Sequence, residues 1–237
     1  MGFESEIRTN VGLRRKLNED SVMGQPERGI WVVADGMGGH EAGEVASSRI
    51  VDAMSALPDE THPEKLVTRA VEALATVNAE LIELAHSGGE KKTIGSTVVG
   101  IILGEGQYRC FWAGDSRGYR VRDGNISQIT RDHSLVQDLV AAGMLEAGDA
   151  ESHPNANVIT RAVGAAEDLN VDTVGGVAFK DDIFLIASDG LTRMVTQVEV
   201  LSALLSKPLG EAADHLLQLV LDRGAPDNVT MAIVKVT

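Results

Sequence analysis

The sequence predicts an α+β fold: a two-sheet antiparallel β-sandwich flanked by helix pairs, in α/β/β/α layers, with a small flap insertion. Three observations carry that prediction. Strand-like runs follow one another across short turns, which is not the βαβα alternation of a parallel sheet. The amphipathic helical stretches come in two adjacent pairs, each able to cover one sheet face. No Pro-, Gly- or Ser-rich linker divides the 237 residues, so 1–237 is expected to be a single domain.

Residues 3–9 alternate Phe3, Ser5 and Ile7 with Glu4, Glu6 and Arg8, the period of a half-exposed strand. A loop over 10–19 leads to strands at 20–25 and 30–35. The glycine-rich turn Gly36-Met37-Gly38-Gly39 precedes a helix from about 41 to 57, striped Ala42, Val45, Ala46, Ile50, Ala53, Met54 and Leu57. Pro63 suits the first turn of a second helix, whose stripe runs Val67, Ala70, Val71, Leu74, Val77, Leu81 and Leu84. Residues 95–129 read as a strand meander. Gly104-Glu105-Gly106 separates its first two strands, and Asp123-Gly124 marks a tight hairpin. A short helix at about 133–142 ends at Gly143. The polar stretch 144–157 can bury little apolar surface and reads as the flap. Strands at 158–163, 171–178 and 182–189 follow, then helices at about 196–205 and 209–223, then a last strand at 228–236.

Composition narrows the chemistry. At 43% apolar and 24% charged this is ordinary globular material. A net charge of −14 argues against a nucleic-acid groove, which needs a basic face. Cys110 is the sole cysteine, so no internal disulfide can form, and its apolar run predicts an inert buried thiol. The N-terminus has no basic-then-apolar signal, and Glu6 stands where myristoylation wants Ser or Thr. No run of about 18 apolar residues exists, so no membrane span is expected. A cytoplasmic monomer is the expectation.

The chemistry lies in where the acids fall. Three apolar runs end in aspartate: Ile30–Asp35, Cys110–Asp115 and Phe184–Asp189. Two more acidic sites, Glu19-Asp20 and Asp227, stand just before apolar runs. In antiparallel sheets one strand's end lies beside the next strand's start, so five carboxylate sites can meet at one edge. Carboxylates packed so closely repel unless cations sit between them. Hard oxygen donors select Mg2+ or Mn2+. Asp123, in an ordinary hairpin, is left as a turn residue. The glycine turn also resembles a dinucleotide fingerprint, but Glu41 stands where that pattern requires glycine or alanine. A steric role fits better, because glycines let backbone carbonyls approach a cation closely. Arg15, in the cluster Arg14-Arg15-Lys16, is the natural clamp for a phosphate drawn to such an edge.

Six motifs occur in order: Gly12-x-x-Arg15-x-x-Asn18-Glu19-Asp20, Asp35-Gly36-Met37-Gly38-Gly39-His40, Gly95-Ser96-Thr97, Gly114-Asp115-Ser116-Arg117, Ser188-Asp189-Gly190 and Asp227-Asn228-Val229-Thr230. Together they resemble the metal-dependent Ser/Thr protein phosphatases of type 2C, the PPM family, in its compact bacterial form. The resemblance implies a sandwich flanked by helix pairs, two core Mn2+ or Mg2+ ions and hydrolysis of phosphoserine and phosphothreonine on proteins. It implies that Asp35 bridges both ions, with the Gly36 carbonyl on one of them, and that Asp189 and Asp227 complete the other. Asp20, helped by Glu19, would hold water or metal on the near side. Asp115 would join Asp189 around a third, weaker ion. Arg15 would grip the substrate phosphate, and Asn228 would support the site through hydrogen bonds. A cognate Ser/Thr kinase is the expected opponent. One departure stands out: many eukaryotic members carry a histidine, a proposed general acid, where this chain has Met37, with His40 nearby in sequence. Two other classes remain open at this point. One is a degenerate, non-catalytic domain that binds phosphoproteins; the other is a metal-dependent nuclease or small-molecule phosphoesterase.

Overall fold

Apolar strands whose side chains alternate between two buried faces build two antiparallel sheets that share one interior. The computed structural model describes residues 1–38, 42–87, 93–150 and 152–237. Its strands are β1 Phe3–Asn10, β2 Asp20–Gln25, β3 Ile30–Met37, β4 Gly95–Ser96, β5 Val98–Gly104, β6 Gln107–Ala113, β7 Arg117–Arg122, β8 Asn125–Gln128, β9 Asp172–Val177, β10 Ile183–Ala187 and β11 Val229–Val236. The helices are α1 Ala42–Ser55, α2 Pro63–Ser87, α3 Leu135–Ala141, α4 Asp189–Thr192, α5 Gln197–Ser206 and α6 Leu209–Asp222. One sheet runs β1-β11-β10-β7-β8; the other runs β2-β3-β5-β6-β9, with β4 added to β3.

Alternate residues of single strands divide cleanly between layers. Trp31 and Val33 of β3, Phe184 and Ile186 of β10, and Ala232 and Val234 of β11 pack between the sheets. Their neighbours on β3, Ile30, Val32 and Ala34, pack outward against Ile50, Leu74 and Leu81 of α1 and α2. On the other sheet Leu185, Met231 and Ile233 pack against Leu209, Leu216 and Val220 of α6. Strands buried on both faces explain why these runs read as continuously apolar. Cys110 sits fully buried in the layer between the sheets, as its setting predicts.

Local signals set several element ends. Asp123 and Gly124 both have positive φ, 50° and 72°, as the two central residues of a type I′ hairpin require. Pro63 opens α2. At α5, Thr196 and Glu199 form a reciprocal capping box. Two expectations differ from the structure. Residues 158–163 are not a strand. Val158 O accepts from Leu135, Thr160 N donates to His133, and Val163 exchanges hydrogen bonds with Ser96, so the segment is shared among separate partners. The strand expected over 182–189 ends at Ala187, and Asp189 begins a helical turn instead. Within 144–157 the described residues carry one 3-10 turn, Ala147–Asp149, and no strand. Gly39, His40 and Glu41, including the expected start of the first helix, lie outside the described residues.

Candidate active site

The strand register brings the acids together. Asp20 and Asp35 face each other directly across β2 and β3. On the neighbouring sheet β10 pairs with β11, and Ser188 N donates to Thr230 O at 3.0 Å, which sets Asp189 beside the start of β11, where Asp227 and Asn228 enter. Thr97 links Asp35 to the remaining carrier: its amide donates to Asp35 O at 2.9 Å, and its hydroxyl lies 2.7 Å from that of Ser116, next to Asp115. Two glycines allow this convergence. A Cβ on Gly36 would fall 2.1 Å from Gly43 O and 2.5 Å from Glu19 O. One on Gly190 would fall 1.8 Å from Asn228 O, so α4 could not approach β11 with any side chain there.

Electrostatics shows the cost of the arrangement. Burial, and then the charges of Asp20, Asp189, Asp115 and Asp227, push the Asp35 carboxyl well above its ordinary range. Burial raises Asp20 to about 7 and Asp115 to about 6, against hydroxyl donors for the first and Arg193 for the second. Asp189 is raised too, chiefly by burial, and lies within hydrogen-bonding reach of Asp35. Among the described residues, three carboxylate oxygens, Glu19 Oε1, Asp20 Oδ1 and Asp115 Oδ1, are buried without a hydrogen-bond partner. Buried acceptors left unpaired are costly and call for a cation or a donor. An all-oxygen set of carboxylates with backbone carbonyls fits Mg2+ or Mn2+. The side chains are not closed around a common centre: among the described residues no three His, Cys, Asp or Glu form a ready ligand group. Arginines hold several of them instead. Arg15 Nη2 lies 2.8 Å from Asp227 Oδ2, and Arg193 reaches both Asp115 and Asp189 at 3.0 Å.

The loop over 10–19 is tied down where it carries Arg15. Asn228 Nδ2 donates to Val11 O and Leu17 O, and its Oδ1 accepts from Glu19 N, all at 2.9 Å. Ser47 Oγ donates to Glu19 O at 2.6 Å, joining α1 to the same point. The Arg15 side chain itself is half exposed. A cavity of ≈260 Å3 opens beside the acids, lined by Asp115, Asp189 and Arg193 and, from 144–157, by Ala150, Ala156 and Asn157.

The structure thus gathers Glu19, Asp20, Asp35, Gly36, Asp115, Asp189, Asp227, Asn228 and Arg15 at one edge of the sandwich. Sequence reasoning missed several residues that build the site. Ser188 Oγ donates to Asp20 Oδ2 at 2.9 Å. His133, buried and stacked on Trp112, accepts at Nδ1 from Gly114 N at 3.2 Å and donates from Nε2 to Asp172, so it braces the corner that carries Asp115. Arg193, four residues beyond Asp189, lies over that aspartate because Asp189 begins a helical turn, where the sequence suggested a strand.

Comparison with known proteins follows the same lines. The pattern of the family described as Protein phosphatase 2C matches residues 14–221. The serine/threonine phosphatase stp of Listeria innocua is 36% identical over 241 residues, covering 98% of this chain and 96% of its own. PppA, described as a key regulatory component of T6SS in Pseudomonas aeruginosa, superposes with a TM-score of 0.93 at 39% identity, covering 100% of this chain and 99% of the other. The catalytic domain of the serine/threonine protein phosphatase PstP, solved in complex with two manganese ions, superposes with a TM-score of 0.89 at 32% identity over 100% and 99% of the two chains.

Proposed function

The chain belongs to the protein phosphatase 2C family, and from that premise we propose that its acidic edge removes phosphate from phosphoserine and phosphothreonine on proteins. It is a serine/threonine protein phosphatase that uses Mn2+ or Mg2+. The observation that carries the site assignment is the convergence of buried, partly unpartnered carboxylates beside a half-exposed Arg15. Asp35, Asp20, Asp189 and Asp227, with the Gly36 carbonyl and support from Glu19, would hold the ions, and Asp115 stands beside Asp189. Bound there, the metals supply Lewis acidity, which acidifies water and polarises phosphoryl oxygens.

The chain's own residues do the rest. Arg15 binds the phosphate through its planar fork and offsets charge on the phosphoryl oxygens. Asp227, its partner at 2.8 Å, competes for that fork and holds it at the edge between substrates. Asn228 fixes the loop that presents Arg15 and Glu19. Cys110 takes no part, since it is fully buried and its thiol is pushed far up by desolvation. Met37 cannot protonate the leaving group, and His40 lies outside the described residues. The degenerate binding domain is set aside, because the relatives are phosphatases and the acidic set is intact. The charge of −14 speaks against nucleic-acid substrates, and among the described residues no helix is long and apolar enough to cross a membrane. A single domain with a flap at 144–157, a cytoplasmic monomer and a cognate Ser/Thr kinase in a signalling pair complete the proposal. The test is phosphate release from a phosphothreonine peptide with and without Mn2+. Wild type is expected to need the ion, and Asp35→Ala and Asp189→Ala are expected to fall to background. Full activity in either variant refutes the assignment.

A further inference from the structure

Arg193 is a cation at the acidic edge that the metal reading does not use. Arg193 follows α4 and folds back over it: its amide donates to Asp189 O at 2.9 Å, and its Nε lies 3.0 Å from Asp189 Oδ2. Nη2 of the same guanidinium lies 3.0 Å from Asp115 Oδ2. The third arm, Nη1, donates to Asn157 Oδ1 in the 144–157 segment. One planar fork therefore joins three parts of the chain: the end of β6, the start of α4 and the flap. We propose that Arg193 is this chain's built-in cation for the Asp115–Asp189 pair, taking the position that a third metal ion would need, and that it couples that position to the flap.

The inference rests on the reading of this edge as a two-metal phosphatase site and sharpens it. Asp115 and Asp189 are the pair that the family resemblance assigns to a third, weaker ion. Here Asp115 Oδ2 already accepts a charge-assisted hydrogen bond, and Asp189 Oδ2 already has an ion-pair partner, both from a group that cannot lose its proton. Arg193 also draws both carboxyls down against the upward push of burial, so part of the charge that an ion would neutralise is neutralised already. A divalent ion entering between two such buried carboxyls would have to break that hydrogen bond and that ion pair and bring like charges together. A weak ion loses that contest; the core ions have Asp35 and Asp20, which no arginine holds among the ion pairs of the described residues, besides Asp189 and Asp227, each of which has one arginine partner. Among the described residues Asp115 Oδ1 is left buried and without a hydrogen-bond partner, and Asp115 lines the ≈260 Å3 cavity. The contact to Asn157 adds a mechanical consequence: the flap side of the cavity is held by the guanidinium that holds the acids.

The test counts bound Mn2+ by electron paramagnetic resonance titration and follows hydrogen exchange of residues 152–158. Wild type is expected to saturate at two ions per chain, and Asp115→Asn should leave that count at two. Arg193→Met, which keeps the length and loses the charge, should gain a weaker third site that disappears again in the Arg193→Met/Asp115→Asn double variant. Arg193→Lys should stay at two. Exchange over 152–158 should quicken in Arg193→Met with or without Mn2+, since the Asn157 contact is lost. Three ions in wild type, reduced to two by Asp115→Asn, would overturn the proposal while leaving the two-metal reading intact. A wild type that binds no Mn2+ overturns both. If Arg193→Met does not fold, wild type and Asp115→Asn alone decide between two and three.

Discussion

Replacing Asn228 by alanine tests whether the Arg15 loop is held from below. The amide of Asn228 makes three hydrogen bonds at 2.9 Å, to Glu19 N, Val11 O and Leu17 O, and it is buried. Alanine would leave one backbone donor and two backbone acceptors without their partner. At about 1 kcal/mol net per hydrogen bond, the loss is ~3 kcal/mol. For a chain of this size that lowers the melting temperature by roughly 6–12 °C. The loop keeps another tether, Leu13 N to Ala225 O at 2.9 Å, so it should loosen rather than detach. Arg15 rides on that loop, and the KM for a phosphothreonine peptide should rise more than kcat falls. Asn228→Asp is the sharper variant. It keeps the acceptor for Glu19 N but cannot donate to the two carbonyls, and it adds a charge beside Asp227. It should be at least as damaging as alanine despite its matching shape. Differential scanning fluorimetry and steady-state kinetics read both effects. A melting temperature within 2 °C of wild type, with KM unchanged, would refute the reasoning.

Arg15→Ala should cut kcat/KM by about 10–100-fold, mostly through KM, since one charge-assisted bond to phosphate is worth roughly 1.5–3 kcal/mol; an equal loss confined to kcat would contradict a binding role. In chelator, the melting temperature should rise as pH falls from about 7 towards about 4, because Asp20 and Asp115, raised by burial to about 7 and about 6, bind protons folded that they do not bind unfolded. With Mn2+ the slope should reverse, since protons then compete with the ion for the carboxylates; thermal melts across that range check both signs, and a chelated protein that loses stability on mild acidification would be wrong for this site. Asn78→Ala should destabilise by roughly 2–4 kcal/mol in a denaturant titration. Its buried amide donates to Ala166 O and Glu167 O and accepts from Gly164 N, tying α2 to the 164–167 loop; a loss under ~0.5 kcal/mol would mean that water replaces it fully.

Much of the site could be read before the fold was known because the acids sit at or near strand ends, Asp35 two residues before the end of β3. A strand buried on both faces is an unbroken apolar run, so the aspartate that ends it marks the edge of the sheet. Asp35, Asp115 and Asp189 were visible this way, and the Asp123-Gly124 hairpin was visible in its turn chemistry. What periodicity cannot show is how a segment divides its hydrogen bonds. Residues 158–163 look like a strand by composition, yet they bond to His133, Leu135 and Ser96 in turn and form no ladder. The helical turn at Asp189 was hidden for a similar reason, since the preceding apolar run masks where the strand stops. Arg193 and His133 escaped because their importance lies in partners far away in sequence. His133 meets Gly114 and Asp172, and Arg193 meets Asp115 and Asn157.

The most direct measurement is an anomalous difference map from a crystal of this protein soaked in Mn2+, recorded at the manganese edge. The account predicts strong peaks enclosed by Asp20, Asp35, Asp189 and Asp227, with none between Asp115 and Asp189, where Arg193 stands. A map with no peak among those four carboxylates, or with its manganese elsewhere on the surface, would contradict it.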